Sequence, residues 1–498
     1  MENRKQLPSE SAASALVSEL LHRFYESNVY LRGHMDQLLR LASSSDEETA
    51  RGATLSIFAS LVEPLADSFE PRAVTLYNRL FSQLIQFFRS IEQGRLLDCE
   101  LTGFGLASEE DLIARAERLR QVFKYEPAQG LEIKRAVVLS RVTLGADVAI
   151  TSVAVERLKR RFPDAEIVLT GGRKMQELFG GDKRLAFRET AYERAGTMIG
   201  RLLSWIDLLC CVRELIDGLA PGQYLILDPD TRLTQSGILP LVANASASAP
   251  EGRATPEYLF FPSREYGSDT TYSLAELTSL WLDEVFVERE AAFPRISLKE
   301  DDRRAASALI EKLRQGGERP VVTINFGVGE NPMKRVSDDF EVSLVNLLIR
   351  DGATVILDRG AGEDETKRMD EIISSIARAD HRSIINNIVE VDEETLPDFL
   401  RLGRIDARLA VWRGPIGLLA ALIARSDLYI GYDSAGQHIA AALGVPVIDI
   451  FAGFSSPRMI ERWRPTGPAE VRVIPVDATG KGAALELTLD HARAILKR

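Results

Sequence analysis

A stretch from Tyr429 to Gly453 combines small, acidic and capping residues in a pattern that could bind an anion. An apolar run ending at Ile430 is typical of a buried strand, and the helix that follows is ended by Gly444 and Pro446. The N-terminus of such a helix presents backbone N–H groups without intrahelical partners, and its dipole favours negative charge. The pattern therefore predicts a phosphate site, whose candidate residues are Asp433, Ser434, Ala435, Gly436 and His438.

From these residues alone, a purely structural interpretation explains the stretch about as well as a phosphate site does. In that interpretation the stretch is one more βαβ unit, Asp433 and Ser434 cap the helix, and His438 is an ordinary first-turn histidine.

Two further stretches carry charged residues where a strand gives way to a loop. Asp147 follows the apolar run AVVLS, and a carboxylate at a strand's end can lie in a ligand cleft and accept a proton. An acid in the first turn of a helix is also an ordinary dipole partner, and that alternative stays open. Lys334 and Arg335 follow the run PVVTINF and could stabilise a departing phosphate. The Asp228 and Asp230 pair is interpreted as loop capping rather than as metal ligands.

The elements that must position these residues change in character along the chain. Residues from about 10 to 125 show only helical periodicity, with apolar side chains three and four apart, and the stripe LFSQLIQFF is interpreted as core. Strands and helices alternate after that, which predicts parallel sheets. We expect a helical region over 1–130, one α/β domain over 131–295 and another over 296–498. The final helix could pack back onto the first α/β domain.

The composition narrows the classes of protein. The 498 residues are enough for two or three domains, and the net charge of −12 argues against nucleic acid as a principal partner. Three cysteines without metal-binding spacing fit a reducing cytoplasm. No run of about eighteen apolar residues occurs in the sequence, so we expect no transmembrane segment and at most peripheral membrane contact.

The longer stretch GYDSAGQHIAAALGVPVIDIFAGFSSPRMIERWRP resembles the C-terminal signature of glycosyltransferase family nine, the ADP-heptose:lipopolysaccharide heptosyltransferases and their relatives. It matches that signature at Asp433, Ser434, His438, Gly444 and Pro446. One departure is that alanine stands at position 435, where the family usually has glycine. The resemblance implies an α/β protein of the GT-B type, with two Rossmann-like domains facing a cleft, here preceded by an all-helical region.

The resemblance also implies roles for individual residues. Asp147 falls on the family's general base, with Ala146 as an extra residue before it. Lys334 and Arg335 fall where the family contacts donor phosphate, and Val336 stands in place of a frequent tryptophan. Glu365, which is favoured over Glu363, resembles the family's acidic residue near the nucleoside ribose. Gly414 belongs to a loop that resembles the one near the base.

The implied function is an inverting transfer of a sugar, first of all heptose, from a nucleoside diphosphate, first of all ADP, to a glycan or lipopolysaccharide-type acceptor. No metal or other cofactor is expected. The alternatives are a GT-B enzyme that uses another nucleotide sugar, and a degenerate GT-B protein that binds nucleotide sugar or acts as a scaffold. The N-terminal helices are then a candidate surface for a protein partner or for self-association.

Overall fold

The computed structural model describes residues 8–126, 130–192, 196–242, 257–315, 317–329, 331–360, 362–379, 388–477 and 480–497. The boundary expected near residue 130 borders residues 127–129, which lie outside the described residues. None of the described helices is long and apolar enough to cross a membrane.

The N-terminal region is helical where it is described, as the apolar spacing predicts. Its helices are α1 (Pro8–Ser27), α2 (Arg32–Ala42), α3 (Glu47–Ile57), α4 (Glu63–Ser68), α5 (Pro71–Arg89), α6 (Arg95–Gly103) and α7 (Glu109–Leu119). A π turn, Phe58–Val62, joins α3 to α4. Ser108 caps α7, because its hydroxyl accepts the Asp111 N–H at 3.1 Å while the Asp111 carboxylate accepts the Ser108 N–H at 2.8 Å.

The apolar faces of these helices lie in one buried cluster with residues of the first sheet and of the helix Met198–Ile216. The stripe on α5 is core, as expected: Leu80, Phe81, Leu84, Ile85 and Phe88 are all buried. These side chains belong to the same buried cluster as Val137, Leu139 and Ile226, which come from two strands of that sheet. The helical region and the first α/β domain therefore share a core.

The first α/β domain holds a parallel sheet of five described strands in the order β3-β2-β1-β4-β5. The strands are β1 (Arg135–Leu139), β2 (Glu166–Gly171), β3 (Leu185–Glu189), β4 (Tyr224–Asp228) and β5 (Tyr258–Phe260). The helices are α8 (Leu144–Ala146), α9 (Ser152–Arg161), α10 (Arg173–Phe179), α11 (Met198–Ile216) and α12 (Leu274–Phe286).

The strand β5 and the helix α12 lie between Asp228 and Pro294, a stretch in which the sequence shows no clear periodicity. The strand β5 is only three residues long. The helix α12 buries most of its side chains, among them Trp281, Leu282 and Val285, so it lacks the polar face that reveals a surface helix.

The second α/β domain holds a parallel sheet of seven described strands in the order β12-β11-β10-β6-β7-β9-β8. The strands are β6 (Val321–Asn325), β7 (Thr354–Asp358), β8 (Ile388–Asp392), β9 (Leu409–Arg413), β10 (Leu428–Tyr432), β11 (Val447–Ala452) and β12 (Val471–Val476). The helices are α13 (Glu300–Arg314), α14 (Asp338–Arg350), α15 (Glu363–Ala379), α16 (Leu396–Arg401), α17 (Ile416–Ile423), α18 (Ala435–Ala442), α19 (Pro457–Trp463) and α20 (Lys481–Leu496).

The final helix α20 does not cross to the first α/β domain, which corrects that expectation. Its apolar residues Ala484, Leu489 and Ala492 are buried in the cluster on one face of the second sheet, and it packs on α14 and β12. The crossing is made instead by α19 and the residues after it. Arg462 donates to the backbone carbonyl of Gly267 at 2.5 Å, and Arg464 pairs with Glu276 at 2.7 Å.

Candidate active site

The predicted strand, loop and helix at Asp433–His438 are present as β10 and α18. The Ser434 N–H donates to the Gln437 side-chain oxygen at 3.0 Å, and Gln437 Nε2 donates to Asp433 Oδ1 at 2.9 Å. Gly436 is required by space, because an added Cβ would lie 1.9 Å from the Tyr429 hydroxyl. The start of α18 is thereby held in one position over the sheet.

The alanine at position 435 fits this loop. Among the described non-glycine residues, those with positive φ do not include Ala435, and Ser434 before it is extended with φ −157°. No left-handed backbone is needed here, so the absence of the family's usual glycine leaves the loop intact.

The Lys334 side chain reaches the loop between β10 and α18, as predicted, and contacts the Asp433 carboxylate. Lys334 Nζ donates to Asp433 Oδ2 at 2.5 Å, and the lysine side chain is 22% exposed. Burial lowers the pKa of Lys334, but the charge and hydrogen bond of Asp433 outweigh it and raise the pKa above its usual value. The cation therefore stays charged and lies beside the N-terminus of α18, where both favour an anion.

Arg335 is turned away from Lys334. Its Nε donates to Glu341 Oε1 at 2.9 Å, and Glu341 is fully buried and also pairs with Arg368 at 2.9 Å. Val336 is likewise a core residue, 5% exposed, whose N–H donates to the Tyr432 hydroxyl at 3.2 Å. The structure therefore separates the two predicted cations, and the contacts of Arg335 are structural.

His438 lies buried between the two α/β domains. Its ring is 4% exposed and meets Trp463 of α19 edge to face, with 6.1 Å between the ring centroids. Burial lowers the pKa of His438 to about 4, with a smaller opposing effect of Asp433. The imidazole is therefore neutral at pH 7.

A second aspartate of this region, Asp449 on β11, was missed by sequence reasoning. It is fully buried, and neither carboxyl oxygen has a hydrogen-bond partner in the part of the chain that the structure describes. Burial, and then the charge of Asp433, raise the pKa of Asp449 well above its usual value, which favours the neutral carboxyl. A lone aspartate inside the apolar strand VIDIFA was the signal that could have found it.

Asp147 lies in a π turn, Asp147–Thr151, between α8 and α9. Its Oδ1 accepts the Arg141 N–H at 2.7 Å and the Thr151 hydroxyl at 2.9 Å, and its Oδ2 accepts the Ser140 hydroxyl at 2.7 Å. The residue is 2% exposed, and burial raises the pKa of Asp147 to about 6 against the lowering effect of these donors. The wider turn accommodates an extra residue such as Ala146 without ending the helix.

The Asp147 turn and α18, which we call the signature helix, are in direct contact through Gly145. An added Cβ at Gly145 would lie 3.2 Å from the His438 ring and 3.3 Å from Ala435 Cα. A side chain at this position would make both contacts tight, so glycine suits the close approach of the two domains. The structure therefore brings the predicted base and the predicted phosphate site to one junction.

The neighbouring loops of the first sheet are strained. Val142 has φ +73° and Asp230 has φ +71°, both uncommon for residues with a side chain and most of all for a β-branched one. Asp230 forms a buried ion pair with Arg264 at 3.1 Å. Asp228 accepts the Thr231 N–H at 2.7 Å, so the Asp-x-Asp pair caps and ties this loop, as the sequence analysis favours.

The predicted nucleoside-contacting residues lie along the same end of the second sheet. Glu365 lies over the loops after β6 and β7, since an added Cβ at Gly327 would be 2.3 Å from its Oε1. Gly414 packs against Trp412, where a Cβ would be 2.4 Å from the indole. Glu363 begins α15. Within the described residues there is no group of three or more His, Cys, Asp or Glu side chains placed to hold a metal ion.

Comparison with known proteins agrees with this arrangement. Residues 415–477 match the model of glycosyltransferase family 9 (heptosyltransferase). A solved glycosyl transferase family 9 protein from Veillonella parvula has 16% identity and a TM-score of 0.50, with 74% of this chain and 99% of that chain covered. No curated protein matches the chain.

Two further solved structures are similar over the same extent. The E. coli ADP-heptose LPS heptosyltransferase II has 18% identity and a TM-score of 0.47, with 73% of this chain and 98% of that chain covered. The E. coli heptosyltransferase WaaC with ADP has 12% identity and a TM-score of 0.47, with 72% and 99% covered.

The two parallel α/β domains have a fold of the GT-B type. The predicted resemblance to glycosyltransferase family 9 is confirmed, and the signature that carries it is the α17–β12 part of the second α/β domain.

Proposed function

We propose that the protein is an inverting glycosyltransferase that moves a sugar from a nucleoside diphosphate to a hydroxyl of a glycan or lipopolysaccharide-type acceptor. ADP-heptose is the first candidate donor, in keeping with the heptosyltransferase description of the matching family. The observation that carries the proposal is the contact between the Asp147 turn and the signature helix through Gly145.

The donor half of the site binds the diphosphate. In this proposal the phosphates lie at the N-terminus of α18 and against Lys334, which together balance the charge that builds on the leaving group. Because Asp433 holds Lys334 in the free protein, the diphosphate must take its place on the cation. Glu365 and Gly414 border the nucleoside, and no metal or other cofactor takes part.

The acceptor half supplies the base. Asp147 Oδ2 accepts one described hydrogen bond and so keeps a lone pair for the acceptor hydroxyl. The acceptor oxygen forms a bond to the anomeric carbon as that carbon's bond to the phosphate oxygen breaks. The proton passes to Asp147 and the electron pair leaves with the diphosphate. Inversion follows, since one displacement occurs without a covalent intermediate.

Access to Asp147 requires a movement. The side chain is 2% exposed in this conformation, and the facing residues are those of the signature helix. We therefore propose that the two domains separate at the Gly145 junction to admit the acceptor and close again around it, which also excludes water from the reaction.

The reaction belongs in the cytoplasm in this proposal, where nucleotide sugars and a reducing environment fit three unpaired cysteines. A glycolipid acceptor would bring the enzyme to the inner face of a membrane.

Calorimetric titration of the full-length protein with ADP-, UDP- and GDP-linked sugars tests the proposal, together with hydrolysis of the bound donor by water. We expect binding of one nucleotide class, ADP first, and slow hydrolysis. Binding without hydrolysis or transfer would favour the nucleotide-sugar-binding alternative. A protein that binds none of the three classes would contradict the proposal.

A further inference from the structure

The helical region reaches the proposed site at the corner between α4 and α5. Phe69 forms this corner, with a left-handed backbone at φ +55°, and its side chain is 2% exposed. Its ring meets Trp463 of α19 edge to face, with 6.3 Å between the ring centroids. Trp463 meets His438 of the signature helix in the same way. One chain of ring contacts therefore connects the helical region to the donor loop.

Two residues before this corner, Asp67 lies on α4, which packs on α19. Burial raises the pKa of Asp67, the charges of Lys334 and Arg232 lower it, and the charge of Asp433 raises it, which identifies these groups as its electrostatic neighbours. The side chain is partly buried, and within the described ranges it has no hydrogen bond or ion pair. A carboxylate beside the phosphate-binding lysine is thus left available.

The chemistry of the Asp67 carboxylate limits which part of a bound nucleotide sugar it could contact. Next to a diphosphate it would repel phosphate oxygens, since like charges at short range oppose binding. It accepts hydrogen bonds readily from hydroxyl groups, and such charge-assisted bonds are among the stronger ones. The part of a nucleotide sugar that lies next to its diphosphate and carries several hydroxyls is the transferred sugar.

We propose that the corner Asp67–Phe69 of the helical region forms part of the donor-sugar pocket and that Asp67 accepts hydrogen bonds from hydroxyls of the transferred sugar. Asp67 is then a specificity-determining residue supplied from outside the two Rossmann-like domains. The inference rests on the proposed function, because it takes the diphosphate to lie at Lys334.

The test compares the dissociation constants of ADP and of ADP-heptose for the full-length protein and for Asp67→Asn, an isosteric change that breaks no described hydrogen bond. UDP- and GDP-sugars replace ADP-heptose if the wild type selects them. We expect the nucleotide sugar to bind roughly 10- to 100-fold more weakly to the variant, the scale of a charged hydrogen bond. Affinity for the nucleotide without the sugar should stay the same or rise, because a negative charge near Lys334 is removed.

Glu70→Gln is the matched control, since this carboxylate lies at the same corner and is exposed. It should leave both constants unchanged. An Asp67→Asn protein that binds the nucleotide sugar as the wild type does would overturn the inference, as would slower turnover with an unchanged dissociation constant. A wild-type protein that binds no nucleotide would instead contradict the proposed function.

Discussion

The two α/β domains meet at the Gly145 junction through walls that are built in different ways. The wall from the second α/β domain is the β10–α18 loop, which relies on local contacts such as the Ser434 N–H to Gln437 bond. In the first α/β domain, the wall contains positive-φ residues with side chains, among them Val142, Asp230 and Ser236, and a buried ion pair. Described non-glycine residues with positive φ occur only before residue 300.

The helical region stabilises the strained wall. The Arg264 guanidinium, which pairs with Asp230, lies over the Tyr77 ring of α5, with 3.8 Å between its Cζ and the ring centroid. Arg115 of α7 donates to the carbonyl of Gly237 at 2.9 Å. Strained backbone persists only where its surroundings fix it. The β10–α18 loop is therefore held mainly by contacts within its own domain, whereas the wall of the first α/β domain is also held by the added helices.

The largest test of this difference is removal of the helices. A chain beginning at Leu131 would lack the helical residues that share a buried cluster with Val137, Leu139 and Ile226, so we expect the first α/β domain to lose cooperative unfolding in calorimetry. A milder version compares two leucines. Leu80→Ala, at a residue 1% exposed, should cost about 2–5 kcal/mol of unfolding free energy. Leu55→Ala, at a residue 44% exposed, should cost within about 0.5 kcal/mol.

A truncated chain that still melts cooperatively and binds nucleotide would show that the helices are merely appended. The comparison between the two walls would then be wrong.

The next largest effect is expected at Asp147. Asp147→Asn cannot accept the acceptor's proton, so turnover should fall by about 10²–10⁴-fold while donor affinity holds. Asp228→Asn is the control, because Asp228 is equally buried, accepts hydrogen bonds from Thr231 and Tyr258, and has a pKa that burial also raises to about 6. It should lose stability but keep turnover in the folded protein. Donor hydrolysis can serve as the assay.

If Asp147→Asn turned over like the wild type, the carboxylate would be only a hydrogen-bond acceptor for its loop. Equal losses in both variants would point to folding rather than to proton transfer.

The pH dependence of turnover follows from the burial of the same residue. Burial raises the pKa of Asp147 to about 6, and the base works only when deprotonated. Turnover should therefore fall below pH 6 by about tenfold for each pH unit, roughly 100-fold by pH 4. Initial rates between pH 5 and 8, measured on protein shown to be folded at each pH, check this. A flat profile would contradict the assignment.

The pH dependence of the unfolding free energy cannot be assigned to Asp147 alone. The pKa values of Asp147, Asp228 and Asp358 are all raised by burial, so each favours the folded state below its unfolded pKa and loses that contribution as the pH rises through about 6. Turnover separates Asp147 from the other two.

The correct predictions rest on local sequence patterns. The strand, loop and helix around Asp433 are set by a few neighbouring residues, and the sequence analysis places them in the correct elements. Asp147 was expected where a loop follows a strand, and it lies instead in the π turn that continues α8. Arg335 was predicted at the phosphate site with Lys334 because the two resemble the family's phosphate-contacting positions. Its side chain instead pairs with Glu341, whose burial depends on the folding of the whole domain.

The role of the helices could not be predicted for the same physical reason. Nothing local to Asp67 indicates that it faces Lys334, since the two are brought together by the packing of three separate regions. The amphipathic pattern of α5 predicts an apolar face but not the sheet that it covers. Asp449 was a different case, since its signal was present in the strand and was overlooked.

The most direct test of the donor site is the binding of ADP to two neighbouring variants. Lys334→Ala removes the cation at the signature loop, so ADP should bind more weakly by about 1.5–3 kcal/mol, the scale of a charged hydrogen bond to phosphate. Arg335→Ala removes the adjacent charge, but that side chain is engaged with Glu341, so ADP affinity of the folded variant should change little. Calorimetric titration at one ionic strength compares them. An unchanged dissociation constant in Lys334→Ala would contradict the account of this site.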